Sequence, residues 1–327
     1  MGYSAQVVAR ARQILAQQKA EKESRYRQTL QQAYEQVPRL KEIDKCLRHS
    51  MAVAAQAVFA EGGDVQATME QVKRENLALQ QERQALIAEN FAPGYLDETP
   101  VCATCGGTGY LGSSMCRCLQ TICCREQKKE LNRLTGGQER FEAFRLDYYP
   151  EQVDRAYGAS PRVIMERNLQ YCMRYAAHFA KGLGNLLFVG GTGLGKTYLS
   201  ACIANAVTEK GFSVVYESAP QLFAKLEKNR FDPDEQSRQD AENFQNCDLL
   251  IVDDLGTEMP GNFVTAALYS LLNQRLLDGG CMLISTNLNA DEIAKRYSPQ
   301  IASRMQGEFK GLTFVGEDIR IKKARGL

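Results

Sequence analysis

Apolar and polar residues follow one another along this chain in three successive patterns, and each pattern predicts a different kind of structure. Up to about Asn90 the sequence is rich in Gln, Glu, Arg, Lys, Ala and Leu, and its main breakers, Pro38 and Gly62-Gly63, divide it into three helices. Leu40, Ile43, Leu47, Met51, Ala54 and Val58 recur at steps of three and four, which makes them one apolar face of the middle helix. In the third helix Val65, Met69, Val72, Leu79 and Leu86 follow a heptad-like seam that Asn76 and Arg83 interrupt, so a small bundle or hairpin fits better than a long isolated coiled coil. These stripes either pack on one another or offer a face to a partner.

From about Thr135 onward, short apolar runs alternate with helical ones. Strands are expected at Asn185 to Val189, Phe212 to Glu217, Asp248 to Asp254, Cys281 to Asn287 and Leu312 to Val315. Helices are expected at Tyr198 to Ala204, Pro220 to Lys228 and around Ile301 to Met305. That alternation predicts an α/β fold with a parallel five-stranded sheet.

The most specific chemistry lies between the first of these strands and its helix. Gly190-Gly191-Thr192-Gly193-Leu194-Gly195-Lys196-Thr197 fits G-x-x-x-x-G-K-[ST], and with a strand before it and a helix after it the stretch reads as a phosphate cradle. Glycines let backbone N–H groups turn toward a triphosphate, Lys196 reaches the terminal phosphates, and the Thr197 hydroxyl suits Mg²⁺. Four apolar residues then deliver Asp253 to the C-terminal edge of a buried strand, where it suits the Mg²⁺ shell, and Asp254 is placed to orient or deprotonate the attacking water. Asn287 ends the fourth strand as a candidate sensor of that water or of the terminal phosphate. Arg304, on its helix, is either a solvated side chain or a cation presented to the terminal phosphate of a neighbouring subunit.

Between the two regions, after Pro93-Gly94, comes Val101-Cys102-Ala103-Thr104-Cys105-Gly106-Gly107-Thr108-Gly109-Tyr110, and then Cys116-Arg117-Cys118. Cys102 and Cys105 have the spacing of two thiolates on one tetrahedral ion. Cys116 and Cys118 offer a second pair, and Cys123-Cys124 an alternative source of ligands. Zinc would then supply most of the folding free energy of so small a module, whereas the other reading is a redox-active or incidental cysteine cluster. A single CxxCxGxG unit argues against a DnaJ-type cochaperone. Three parts are expected: residues 1–95, a helical region that is partner-binding if its stripes face outward; 96–130, the cysteine-rich zinc module; and 131–327, the ATPase domain.

Composition adds bounds. Of the 11 cysteines, six fall within residues 102 to 124, a clustering that points to metal ligands or buried thiols and not to disulfides. With 40 Lys+Arg against 39 Asp+Glu, any nucleic-acid binding must come from a local patch. No run approaches the roughly 18 apolar residues of a membrane span, and the polar start lacks the order of a secretion signal, so a cytoplasmic location without membrane association is expected.

In this order the parts resemble the DnaC/DnaI-type replicative helicase loaders, a branch of the AAA+ ATPases, and within it the zinc-containing DnaI-like branch. A charged helical N-terminus, Cys-x-x-Cys followed by Thr-Gly-Tyr, a further Cys-x-Cys, and Phe141-Glu142-Ala143-Phe144-Arg145-Leu146-Asp147-Tyr148-Tyr149 carry the resemblance over nearly the whole chain. It implies a Walker A at 190–197, a Walker B at Asp253 and Asp254, sensor 1 at Asn287, an arginine finger at Arg304 and a second arginine near the nucleotide, Arg320. ATP, Mg²⁺ and Zn²⁺ are the implied cofactors. The implied function is slow, assembly-stimulated ATP hydrolysis that loads a hexameric DnaB-type helicase onto single-stranded DNA, with self-association through the AAA+ domains. Cys123-Cys124 departs from the pattern, as does the lack of an obvious helical lid after the fifth strand, where the sequence runs into Lys322-Lys323-Ala324-Arg325, a basic stretch suited to a DNA backbone. Two other readings are a nucleotide-switched adaptor with little turnover and a transposition helper ATPase of the IstB type.

Overall fold

Three helices lead the chain in the computed structural model, which describes residues 3–59, 65–135, 137 and 139–324. They are α1 (Ala5–Gln36), α2 (Pro38–Phe59) and α3 (Val65–Asn90). Pro38 opens α2, since its fixed φ suits a first helical position and its missing N–H would have no partner there. Gly62-Gly63 lies outside the described residues, as do the side chains of Met51, Ala54, Val58, Val65 and Met69. The apolar face of α2 is buried at Leu40 and Ile43, and Leu40 joins Ala33 and Leu96 in a small core. The polar residues that interrupt the seam of α3 are matched on α2. Asn76 Oδ1 accepts from the Ser50 hydroxyl at 2.6 Å and Arg83 Nε donates to Asp44 Oδ1 at 2.8 Å, so both are interhelical contacts. A short antiparallel hairpin follows, β1 (Tyr110–Leu111) with β2 (Ser114–Met115). Gln13–Cys116 form one compact unit, and Met1–Arg12 with Arg117–Leu327 form another.

The second unit is an α/β layer structure. After α4 (Arg117–Thr135) and α5 (Pro161–Ala177) come β3 (Asn185–Val189), α6 (Lys196–Glu209), β4 (Val214–Ser218), α7 (Ala219–Phe231), α8 (Glu235–Asn246) and β5 (Leu249–Leu255). Then follow α9 (Asn262–Leu277), β6 (Cys281–Thr286), α10 (Ala290–Arg296), α11 (Pro299–Glu308), β7 (Phe309–Thr313) and α12 (Ile319–Ala324). The five strands are parallel in the order β4-β5-β6-β3-β7. Their period of two sorts the core into two layers. Leu186, Phe188, Leu249, Ile251 and Leu283 pack with α5 and α6, while Leu187, Leu250, Val252, Met282 and Ile284 pack with α7 to α11. The expected strands are present, with one displaced. β7 begins at Phe309 and ends at Thr313, whereas apolarity pointed to Leu312–Val315. Phe314 and Val315 are apolar because they are buried beyond the strand, where the Phe314 amide still donates to the Val189 carbonyl at 2.7 Å.

Candidate functional site

β3, β5 and β6 are neighbours, so the segments leaving their C-terminal ends converge, as ligand sites of open parallel sheets require. From β3 the chain enters the glycine-rich turn. A Cβ on Gly190 would lie 2.4 Å from the Phe314 carbonyl oxygen, so this close approach of backbones admits only glycine. Gly195, with φ of 91°, then opens α6 and places Lys196 and Thr197 in its first turn. Lys196 is buried. Its ammonium donates to the Gly190 and Gly191 carbonyls at 2.7 Å each and to Asn287 Oδ1, which brings the end of β6 to the P-loop. Burial lowers the Lys196 pKa, opposed by the charges of Asp254 and Asp253.

β5 delivers its two acids to different surroundings. Asp253 is buried, accepting from the Tyr216 hydroxyl at 2.9 Å and from the Ser285 hydroxyl. Asp254 faces a cavity of 390 Å³ that the P-loop, Asn287 and Arg320 also line. It has φ of 56°, the only positive value at a non-glycine among the described residues. Three hydrogen bonds hold that turn: the Asp254 amide donates to Ser285 Oγ at 2.9 Å, and its carbonyl accepts from the Thr257 amide at 3.2 Å and hydroxyl at 2.8 Å. Burial raises the Asp254 pKa, as does the Asp253 charge, while Lys196 and Arg320 oppose both. A non-glycine held in the left-handed region with an energetically unfavourable charge marks a position specified by more than packing.

The other end of the cavity is aromatic. Phe144 lies 5.8 Å from Tyr149 and 5.7 Å from Tyr198, centroid to centroid, and the Tyr149 hydroxyl donates to the Leu194 carbonyl at 2.9 Å. With Tyr148 these rings form a wall next to the phosphate cradle, suited to a flat base. The sequence reading assigned none of them a role in the site.

The four cysteines Cys102, Cys105, Cys116 and Cys118 come together with their sulfurs all within 4.8 Å of one another. The Gly109 amide donates to Cys105 Sγ at 3.3 Å, a bond that favours a thiolate. Four converging thiols of this kind fit a tetrahedral zinc ion. Cys123 and Cys124 are not in the cluster. Cys123 is buried on α4, where desolvation pushes its thiol up to about 11, and Cys124 Sγ lies 3.2 Å from the Tyr3 hydroxyl.

The family described as IstB-like ATP binding protein matches residues 154–303. The replicative helicase loader DnaC of Escherichia coli (strain K12) is 22% identical over 138 residues, which are 42% of this chain and 56% of that protein. Residues 154–303 are thus similar to the AAA+ domain of IstB/DnaC-type proteins. The chromosomal replication initiator protein DnaA of Aliarcobacter butzleri (strain RM4018) is 34% identical over 108 residues, 31% of this chain and 20% of that protein. Among solved structures, the DnaC helicase loader aligns with a TM-score of 0.44 at 20% identity, covering 54% of this chain and 98% of that one. DnaI aligns with a TM-score of 0.41 at 22% identity, covering 52% and 92%. The chain spans about half the length of the curated DnaC relatives it matches.

Two arginines of the AAA+ region part company. Arg320, in the first turn of α12, lines the nucleotide-sized cavity, whereas Arg304 on α11 does not, its guanidinium lying 5.7 Å from the centre of the Tyr269 ring. Lys322 donates to the Tyr148 carbonyl at 2.9 Å and pairs with Glu317 at 3.1 Å. Arg325 and the Lys323 side chain lie outside the described residues. No helix among the described residues is long and apolar enough to cross a membrane.

Proposed function

We propose that the chain is an ATP-hydrolysing loader of a hexameric DnaB-type replicative helicase onto single-stranded DNA. The observation that carries the hydrolytic part is the convergence of Lys196, Asn287 and Asp254 on one cavity beside an aromatic wall. In this reading the P-loop amides and Lys196 bind the triphosphate, whose oxygens displace the carbonyls that now hold the ammonium. Phe144, Tyr148 and Tyr149 take the base. Asp254 accepts the proton of the attacking water, and Asn287 orients that water. Thr197 and Asp253 would hold Mg²⁺, which neutralises phosphate charge when bound. Arg304, which does not line its own cavity, acts on the cavity of the next subunit, and Arg320 on its own.

For the loader part, support comes from the likeness of the AAA+ domain to E. coli DnaC, together with a helical region and a cysteine cluster in the same chain. Residues 1–95 would hold the helicase, 96–130 form the zinc module, and 131–327 couple ATP and DNA. The test supplies single-stranded circles coated with single-strand-binding protein, a DnaB-type helicase and ATP. The chain should raise unwinding of an annealed strand, and an equal rate without it would sink the proposal. The family match is itself described as IstB-like, which favours a transposition helper as a second reading. Such a helper would leave unwinding unchanged and instead stimulate strand transfer by a cognate transposase.

A further inference from the structure

The loop that leaves β5 contains a buried acid among exposed residues. Thr257, Met259 and Pro260 are exposed, yet Glu258 between them is only 5% exposed. Every oxygen of its side chain is used: Oε2 accepts from the Gly256 amide at 2.9 Å, and Oε1 from Arg296 Nε at 3.3 Å and from the Tyr297 hydroxyl. Arg296 donates in addition to the Glu258 carbonyl. The turn itself does not need this carboxylate, since Thr257 already closes it on the Asp254 carbonyl with two bonds. Burying a charge is unfavourable unless it is paired and fully hydrogen-bonded, and here the pairing reaches to the end of a different helix.

That end is the junction between α10 and α11. Arg296 is the last residue of α10, Tyr297 its C-cap, and Ser298 caps α11 by accepting from the Ile301 amide at 3.2 Å. Arg304 lies further along α11. On its other side the loop belongs to the nucleotide cavity. Thr257 lines that cavity, and Gly256 packs so closely on Leu288, next to Asn287, that a Cβ there would lie 2.8 Å from Leu288 Cδ1. Pro260 and Gly261 line a second, open depression together with Arg296 and Tyr297. A single six-residue stretch, 256–261, thus borders both the water-side acid and the helix that carries the exported arginine.

We propose that Glu258 is a positioning residue for hydrolysis: it clamps Arg296 and Tyr297 so that the Asp254 turn and helix α11 move as one body. A nucleotide seated against Asp254 then sets the pose of Arg304 toward the next subunit. The inference rests on the ATPase reading given above. In Glu258→Gln the side chain keeps its size but loses the charge that Arg296 meets. The expected result is a kcat lower by about tenfold with the dissociation constant of a fluorescent ATP analogue within about twofold of wild type. In an Asp254→Asn background the substitution should lower kcat no further, because both act through one group. The second readout is amide hydrogen exchange with a non-hydrolysable ATP analogue. Wild type should gain protection in both 254–261 and 296–304, and Glu258→Gln should gain it in neither, or in 254–261 alone. Unchanged kcat with unchanged exchange overturns the proposal, as does equal loss of nucleotide affinity and kcat, which would make Glu258 a plain folding residue. Exchange needs no turnover, so a wild type that binds ATP without hydrolysing it would defeat the ATPase reading while leaving the exchange comparison to decide on Glu258.

Discussion

At Lys196 the protein holds a buried cation on its own backbone. The ammonium is satisfied by two P-loop carbonyls and Asn287, and burial lowers its pKa. Replacing it with Ala removes a charge-assisted contact worth about 1.5–3 kcal/mol, so ATP affinity should fall roughly ten- to hundredfold, measurable by analogue fluorescence. Asp254 should behave differently, because in the proposed reading it serves the water and not the triphosphate. Asp254→Asn should leave affinity nearly unchanged and lower turnover by about 10²–10⁴, and equal turnover in the two proteins would remove Asp254 from catalysis. The same substitution should raise the melting temperature of the nucleotide-free protein. Folding raises the Asp254 pKa above its ordinary 3.8, so the ionised acid lowers stability at neutral pH and this cost is absent below that value. The stabilisation should therefore shrink as pH falls toward 4, and an equal gain at every pH would refute its electrostatic origin. The P-loop and the paired acids were legible because their spacing is local. The aromatic wall was not, since Tyr149 meets Leu194 only through the tertiary fold, and nothing in the pattern of Phe144 and Tyr149 distinguishes a base wall from core.

Secondary-structure elements were legible to the extent that burial leaves a period. The central strands are apolar runs because both faces are covered, which is why β3, β5 and β6 stood out. Helix α8 escaped notice because only Ser237 and Phe244 are buried on it, and α9 because its apolar residues lie nearly all round. The start of α8 was written in the sequence nonetheless, since Asp234 makes a capping box with Ser237, as Asn289 does with Glu292 at α10, whereas α9 starts at Gly261 without a side-chain cap. The cysteine module lies at the opposite extreme, with two-residue strands and Leu111 49% exposed. So little apolar surface cannot order its backbone alone, and a metal held by the four thiols would take that role. Purified protein should carry about one zinc per chain, and Cys105→Ser should lose the metal together with protease resistance around residues 100–118 while analogue binding at the P-loop persists. Metal-free protein with an unaltered digestion pattern would show that the cluster folds without an ion.

Over the whole molecule, the proposed role of Arg304 would decide what kind of assembly can hydrolyse ATP. An arginine that stands over Tyr269 and does not line its own nucleotide cavity contributes to phosphate chemistry only if a second chain brings its cavity to α11. Such a contact joins two different surfaces, so it repeats head to tail into a ring or an open spiral, and activity per chain must then depend on concentration. Single-stranded DNA should raise it further by gathering chains along one backbone. Lys322 would take part in that tracking only by leaving Tyr148 and Glu317. The discriminating experiment mixes Arg304→Ala with Lys196→Ala chains, each inactive by itself for a different reason. In the mixture an interface can pair an intact P-loop from the first with an arginine from the second. For random heterologous pairing of equal amounts, about a quarter of the interfaces would be competent, so a comparable fraction of wild-type turnover should return. If the mixture stays as inactive as its parts while light scattering shows the same assemblies as wild type, Arg304 does not act across the interface, and the catalytic cation must be sought within the chain, with Arg320 at the cavity wall the first residue to replace.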